Sequence, residues 1–133
     1  MEDGLITTRS AHSVRDTVDR LTDAATAGGM TIFARVDHAA GAADVGMDLR
    51  PTELLIFGHP RGGTPLMIDN QTAGLDLPIR ALAWEDEHGH AWLTYNDPAW
   101  IAERHRLGPA SAAAVQAMTN GLASLSARAT GSD

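Results

Sequence analysis

The side chains best suited to bind a ligand fall in one glycine-rich segment. Residues 58–64 read Gly-His-Pro-Arg-Gly-Gly-Thr and lie between an apolar run and a helical pattern. Free backbone N–H groups at a helix start, with an arginine nearby, can hold a phosphate or a carboxylate. We therefore predict a site for a small anionic or polar ligand formed by His59, Arg61, Gly62, Gly63 and Thr64. The alternative is a tight turn followed by a helix cap.

His38 and Glu53 are a second candidate pair, because each flanks a strand-like run in the same region. Imidazole titrates near neutral pH, and a carboxylate can orient it for acid–base catalysis. One hypothesis is therefore that the protein is an enzyme of unrecognised class, in which His38 acts as the acid or base and Glu53 orients it. The alternative is that backbone groups satisfy His38 and that Glu53 is solvated or paired with Arg50.

Composition and motifs exclude several common chemistries. The chain contains no cysteine, so disulfides, thiolate nucleophiles and cysteine-based metal sites are excluded. No serine-hydrolase, P-loop, dinucleotide-binding or zinc-protease motif occurs. His88 and His90 flank one glycine, and exposed hairpin histidines are the preferred interpretation. We predict no metal site and no cofactor.

Charge and hydropathy restrict the partners and the compartment. The 133 residues include 10 basic and 17 acidic side chains, a formal net charge of −7 that disfavours binding to nucleic acid or to an anionic membrane. The start of the chain lacks the basic and apolar parts of a signal peptide. We predict a cytoplasmic protein without nucleic-acid or membrane partners.

Apolar periodicity predicts the elements that position these residues. Strands are expected at 5–10, 30–37, 53–58, 79–86 and 91–95, the last two forming a hairpin around Gly89. The 30–37 strand should place Ile32, Ala34 and Val36 on one face, and the 53–58 strand should be buried on both. The aromatic side chains of the hairpin, Trp84, Trp92 and Tyr95, should pack in the core, and the alternative is that they stack on a ligand.

Helices are predicted where caps and apolar spacing coincide. Ser13 caps a helix that ends at Gly28, and a short helix follows around 40–45. Thr64-Pro65 and Asp97-Pro98 each supply a cap followed by a proline at the first helical position. Pro109 begins the last helix, which carries an apolar stripe at Val115, Met118, Leu122 and Leu125.

This order predicts a single α+β domain over 1–133, with its core at about 5–127 and loose termini at 1–3 and 130–133. A mainly antiparallel sheet of about five strands should have its helices largely on one face. Apolar side chains then remain on the other face, and the helix after Thr64 or a second chain must cover them. We predict a symmetric homodimer whose interface includes part of the sheet.

Several short blocks resemble a known family, the bacterial and archaeal domain-of-unknown-function family 302. The similarity covers about residues 7–107. The blocks are His38-Ala39 with Ala42, Leu49-Arg50-Pro51-Thr52-Glu53, Ile56-Phe57-Gly58, Pro60, Gly63-Thr64-Pro65-Leu66-Met67, Asp76-Leu77-Pro78 and Trp92-Leu93-Thr94-Tyr95-Asn96-Asp97-Pro98.

The resemblance implies a TATA-binding-protein-like α+β fold with an antiparallel sheet, in a dimer. It implies no activity and no DNA binding. The family typically has Asn where this chain has His59. The best functional hypothesis is a homodimeric module that binds a small anionic or polar ligand. The alternatives are an enzyme that uses His38 with Glu53, and a structural or protein-interaction domain.

Overall fold

The structure is a computed structural model and describes residues 3–131. The predicted loose residues 1, 2, 132 and 133 lie outside this range. The strands are β1 (Leu5–Arg9), β2 (Thr31–Asp37), β3 (Thr52–Gly58), β4 (Ile79–Glu85) and β5 (Ala91–Asn96). The helices are α1 (Val14–Ala27), α2 (His38–Asp44), α3 (Pro60–Asp69), α4 (Pro98–Arg104) and α5 (Ala112–Thr130). Two 3-10 turns cover Gln71–Asp76 and Pro109–Ser111.

The strands form one five-stranded sheet in the order β1-β5-β4-β3-β2, and every neighbouring pair is antiparallel. Helices α1 and α5 pack against each other and against the sheet, while α3 and α4 attach to α5. The four helices therefore lie on one side of the sheet. The predicted α+β class is confirmed.

The core lies between this helical layer and one face of the sheet. Leu55, Phe57, Ala83 and Leu93 are at most 1% exposed, and they alternate with less buried residues along their strands. Burying one large apolar side chain contributes about 1.5 to 3 kcal/mol, so this face supplies much of the stability. Strand β3 is buried on this face only, so the prediction of burial on both faces is wrong.

The second face of the sheet lacks a helical cover from α1, α3, α4 and α5. We call it the open face; it consists of Thr7, Arg9, Val36, Leu54, Ile56, Arg80, Leu82, Trp84, Trp92 and Thr94. Trp84 and Trp92 stack there with ring centroids 6.2 Å apart. Of the hairpin aromatics only Tyr95 is in the core, so the prediction for the two tryptophans is wrong.

Strand β2 departs from regular alternation at a bulge. Ile32 pairs with Phe57 and Ala34 with Ile56, so Phe33 is the extra residue. A bulge moves the following side chains to the opposite face. Ile32 therefore faces the helices while Ala34 faces away, contrary to the predicted shared face. Phe33 is left 54% exposed.

Helix α5 begins and ends later than its sequence pattern predicts. Pro109 begins a 3-10 turn, and the α-helix starts at Ala112. At its other end Thr130 is buried, and its carbonyl accepts from the backbone N–H of Ala11. Pairing with the start of the chain orders this end of the helix, so the core extends past residue 127.

Candidate functional site

The glycine-rich segment, residues 58–64 and here called the motif loop, leaves β3 and already includes the first turn of α3. His59 is the N-cap: its Nδ1 accepts from the Arg61 backbone N–H at 3.0 Å, and Pro60 occupies the first turn. The prediction that Thr64 caps the helix is wrong, because the His59-Pro60 pair provides the same cap and proline earlier. An Asn side chain performs this capping role as well.

The capping contacts change where an anion could bind. The backbone N–H groups of Gly62 and Gly63 donate to the His59 carbonyl, at 2.9 and 3.3 Å. Because these amides already have acceptors, recognition of an anion falls to side chains. The neutral His59 ring accepts at Nδ1 and so carries its hydrogen on Nε2, which leaves a donor beside Arg61.

A cleft of about 420 Å³ lies next to the motif loop. Its walls come from α3, α5, the start of β2 and the turn that enters β4. The apolar side chains that line it include Met30, Phe33, Met67, Leu77, Met118 and Leu122. This size lies within the range of small-molecule sites, which are mostly apolar with a few polar groups. All five predicted ligand-binding residues line the cleft.

The cleft wall combines flexible methionine side chains with a glycine inside helix α5. Three methionines line it, and the unbranched thioether side chain adjusts to ligands of different shape. Gly121 lies in the middle of α5, where glycine is about 1 kcal/mol less favourable than alanine. A Cβ at this position would meet nothing within 4 Å. The glycine therefore opens the wall without being required by close packing.

Arg61 is the charged side chain among the lining residues. Of the arginines in the middle of the chain, Arg35 pairs with Asp19 and Glu53, while Arg50 and Arg80 donate to backbone carbonyls. Arg61 has no such partner among residues 3–131. An exposed guanidinium, unpaired within the described part of the chain, thus lies beside an apolar cavity.

His38 and Glu53 are not hydrogen-bonded to each other. His38 is the exposed first residue of α2, whereas Glu53 is 7% exposed on the helix-facing side of β3. The Glu53 carboxylate accepts from Arg35 Nε at 3.3 Å, and Arg35 also contacts Asp19 at 2.6 Å. Burial lowers the pKa of the Arg35 guanidinium, but the contacts with Asp19 and Glu53 together outweigh burial and leave this pKa raised. Glu53 therefore serves an ion pair that joins β2 and β3 to α1.

The hairpin histidines contact neighbouring acids. His88 Nε2 lies 3.4 Å from Glu87, and His90 Nδ1 lies 3.8 Å from Asp86. Within residues 3–131, no three His, Asp or Glu side chains are grouped so that they could hold a metal ion.

The sequence did not predict a polar cluster that surrounds two buried residues, Asp76 and His105. His105 Nε2 lies 2.5 Å from an oxygen of Asp76, and His105 Nδ1 lies 2.9 Å from Thr72 Oγ1. Arg104 donates to both Asp76 oxygens at 3.0 and 3.1 Å, and Asn70 donates to the His105 carbonyl at 2.7 Å. We call Thr72, Asp76, Arg104 and His105 the Asp76 cluster. It fixes the end of α4 to the 3-10 turn before β4.

The order hydroxyl, imidazole, carboxylate in this cluster is also that of a general-base relay. Thr72, however, is absent from the residues that line the cleft, and the cluster's contacts are accounted for by anchoring α4. The sequence signal that could have led to it is the Asp76-Leu77-Pro78 block, which includes the acceptor. Its partners lie almost thirty residues further along the chain.

Comparison with known proteins decides the family. The family model described as "Domain of unknown function DUF302" matches residues 6–125. This chain belongs to the DUF302 family. The match includes the motif loop, the cleft walls up to Leu122 and the Asp76 cluster, so these features lie in the part that defines the family.

A solved structure supports the same fold. The protein described as "uncharacterized conserved protein DUF302 from Bacillus stearothermophilus" superposes with a TM-score of 0.84 at 16% sequence identity. The superposition covers 96% of this chain and 98% of the other. The α+β architecture of this DUF302 domain is therefore shared despite low identity.

Curated relatives from Brucella are much more similar in sequence. The protein named "Fluoride-specific ion channel FluC 1" of Brucella suis biovar 1 (strain 1330) is 53% identical over 131 residues. "Fluoride-specific ion channel FluC 2" of Brucella melitensis biotype 1 has the same identity over the same length. The alignments cover 98% of this chain but 52% and 48% of those proteins. The DUF302 chain spans about half the length of these relatives.

Within residues 3–131, no helix is both long enough and apolar enough to cross a membrane.

Proposed function

We propose that this DUF302 domain is a noncatalytic module that binds a small anionic amphipath in the cleft. The observation that carries the proposal is an apolar cavity of about 420 Å³ whose lining residues include Arg61, an arginine without an ion-pair partner within residues 3–131. The apolar body of the ligand contacts Met30, Met67 and Met118. Its carboxylate or phosphate contacts the Arg61 guanidinium and His59 Nε2–H.

Two energetic contributions favour a ligand that has both an apolar body and an anionic head group. Burying an apolar chain contributes about 0.8 kcal/mol per methylene group, so the cleft supplies most of the affinity. A hydrogen bond to a charged group adds about 1.5 to 3 kcal/mol and fixes the orientation. A purely polar anion would leave the methionine-lined space unfilled. As part of this proposal the domain acts in the cytoplasm, a compartment that fits its lack of cysteine.

Calorimetry with decanoate and decanol tests this proposal, because the two probes share a tail and differ in the charge of the head group. We expect both to bind and decanoate to bind more tightly. Arg61→Ala should weaken decanoate binding by about tenfold and leave decanol unchanged, since the exposed guanidinium contributes the lower end of a charged hydrogen bond.

Arg128→Ala is the matched control, because Arg128 is an exposed arginine of α5 that does not line the cleft. It should bind both probes as the unmodified chain does. Absence of binding by either probe would refute the proposal. Equal losses in the Arg61 and Arg128 variants would refute the assignment of the head group to Arg61.

A second candidate function comes from the names of the Brucella relatives. We propose that the domain modulates fluoride transport by a fluoride-specific ion channel. What supports this is the 53% identity over nearly the whole chain to proteins of that name, together with their additional length. In this proposal the channel acts on fluoride, and the DUF302 domain alters its activity.

Growth in fluoride tests the second candidate. A bacterium without its own fluoride channel would express the Brucella suis relative, this chain, or both. We expect this chain to change the inhibitory fluoride concentration when the relative is present and to have no effect alone. The same inhibitory concentration with and without this chain would contradict the candidate function.

A further inference from the structure

The sulfur atoms of the chain are concentrated in the cleft. Three of the four methionines within residues 3–131 line it, and we call Met30, Met67 and Met118 the cleft methionines. The chain has no cysteine, so thioethers are its only sulfur groups. Oxidation turns a thioether into a sulfoxide, which is polar and can be reduced again. Oxidation of the cleft methionines would therefore make an apolar wall polar.

The Met67 thioether lies between two glycines, one of them in the motif loop. A Cβ added at Gly74 would lie 3.2 Å from Met67 Sδ, and a Cβ added at Gly63 would lie 3.8 Å from the Met67 methyl group. A larger residue at position 74 would therefore press on the sulfur. Because Gly63 and Arg61 belong to the same turn of α3, an oxidisable group lies close to the proposed head-group site.

Exposure of the methionines indicates what kind of oxidant would select the cleft. Met47 does not line the cleft and is 65% exposed, whereas Met118 is 8% exposed and Met30 and Met67 are intermediate. Oxidation by a freely diffusing peroxide follows exposure, so it would reach Met47 first. An oxidant that reacts first with the cleft methionines must bind in the cleft. An anionic amphipath that carries its own peroxide meets this condition.

We propose that the cleft methionines reduce the hydroperoxide group of a bound fatty acid hydroperoxide. This activity rests on the proposed function, because Arg61 and His59, which line the cleft, hold the carboxylate while the tail contacts the thioethers. Such a ligand brings its hydroperoxide to the sulfur atoms when it binds. Holding two reactants together in this way raises their effective concentration far above that of the free oxidant.

The reaction transfers one oxygen atom. A lone pair of the thioether sulfur attacks the terminal oxygen of the hydroperoxide, and the O–O bond breaks. The proton of the terminal oxygen passes to the oxygen that stays on the tail, which becomes an alcohol. The ligand is reduced by two electrons and the methionine is oxidised by two, so no further reactant is needed. Each methionine reacts once, until a sulfoxide-reducing enzyme restores it.

Oxidation also weakens binding of the next ligand. The sulfoxide oxygen is a hydrogen-bond acceptor that an apolar tail leaves unpaired. Burying an unpaired acceptor should raise the Kd for decanoate by about tenfold. The oxidised domain therefore releases the alcohol product and takes up new ligand less readily.

Peptide mass mapping after treatment with linoleate hydroperoxide or with hydrogen peroxide tests this activity. With linoleate hydroperoxide the cleft methionines should gain oxygen at least about tenfold faster than Met47, because the bound oxidant has a high effective concentration. The alcohol should form in the same amount as the sulfoxide. With hydrogen peroxide Met47 should react first. Excess decanoate should slow only the reaction with linoleate hydroperoxide, since decanoate occupies the cleft.

Met67→Leu and Met47→Leu are the matched variants, because leucine has nearly the volume of methionine but no sulfur. Met67→Leu keeps an apolar wall, so it should still bind decanoate but form less alcohol from linoleate hydroperoxide. Met47→Leu should match the unmodified chain in both measurements. Equal alcohol formation by the two variants would show that Met67 does not react and would overturn its assignment.

The outcomes separate this activity from binding itself. Oxidation of Met47 and the cleft methionines at equal rates by linoleate hydroperoxide, in a chain that binds decanoate, would overturn the activity and leave the proposed function intact. Sulfoxide without an equal amount of alcohol would overturn it as well. An unchanged Kd for decanoate after oxidation would overturn the release of the product. Absence of decanoate binding would refute both the activity and the proposed function.

Discussion

Replacing Gly121 by phenylalanine is expected to raise the Kd for decanoate by roughly a hundredfold. The new ring begins in open space on the cleft wall and occupies room that the ligand tail would fill. Displacing about four methylene groups costs about 3 kcal/mol, which corresponds to that change in Kd. Calorimetry with decanoate measures the effect directly.

Gly121→Ala is the control for this substitution. A methyl group leaves most of the cleft open, so binding should stay within about threefold, while the free energy of unfolding rises by up to about 1 kcal/mol from helix propensity. Unchanged decanoate binding by Gly121→Phe would show that the ligand does not occupy this part of the cavity. Equal loss of binding in both variants would point to damage to α5.

Removing the Asp76 carboxylate is the change expected to cost the most stability. Asp76→Ala leaves the imidazole of His105, which is 6% exposed, without its acceptor, and Arg104 without its ion pair. Breaking a buried pair costs about 3 to 5 kcal/mol, and we expect about 3 because Arg104 can turn toward water. Urea denaturation should show a lower midpoint with an unchanged slope.

Two further substitutions test whether the loss of stability comes from the missing hydrogen-bond acceptor at position 76. Asp76→Asn keeps an oxygen for His105 and should lose less stability than Asp76→Ala. Asp23→Ala removes an exposed carboxylate of α1 and should stay within about 0.5 kcal/mol of the unmodified chain. A loss below about 1 kcal/mol for Asp76→Ala would mean that the cluster does not anchor α4.

Local signals in the sequence predict most elements of the fold. Ser13 accepts from the Asp16 N–H and caps α1, and Asp97-Pro98 begins α4 as expected. The start of α3 was predicted too late because two cap-and-proline pairs, His59-Pro60 and Thr64-Pro65, follow β3. Histidine is less common as a cap than threonine, and Gly62 and Gly63 disfavour a helix between the pairs.

Long-range features are harder to predict from a single sequence. Asp76 and His105 meet only because the 3-10 turn and the end of α4 are brought together by the fold. The cleft likewise requires α3, α5 and β2 to converge, although its loop residues were identified from composition. Gly121 was a usable signal, since a glycine inside an apolar helical stripe needs an explanation. The bulge at Phe33 has no local sequence signature.

The position of β1 in the sheet has a consequence for synthesis of the chain. This first strand pairs with β5, so that Thr7 and Thr94 are bonded across 87 residues. A ribosome makes about 5 to 20 residues per second, so β1 waits several seconds for its partner to emerge. Until then the nascent chain exposes the edge of β4 where β5 will add. The sheet is therefore completed late, after most of the domain has left the exit tunnel.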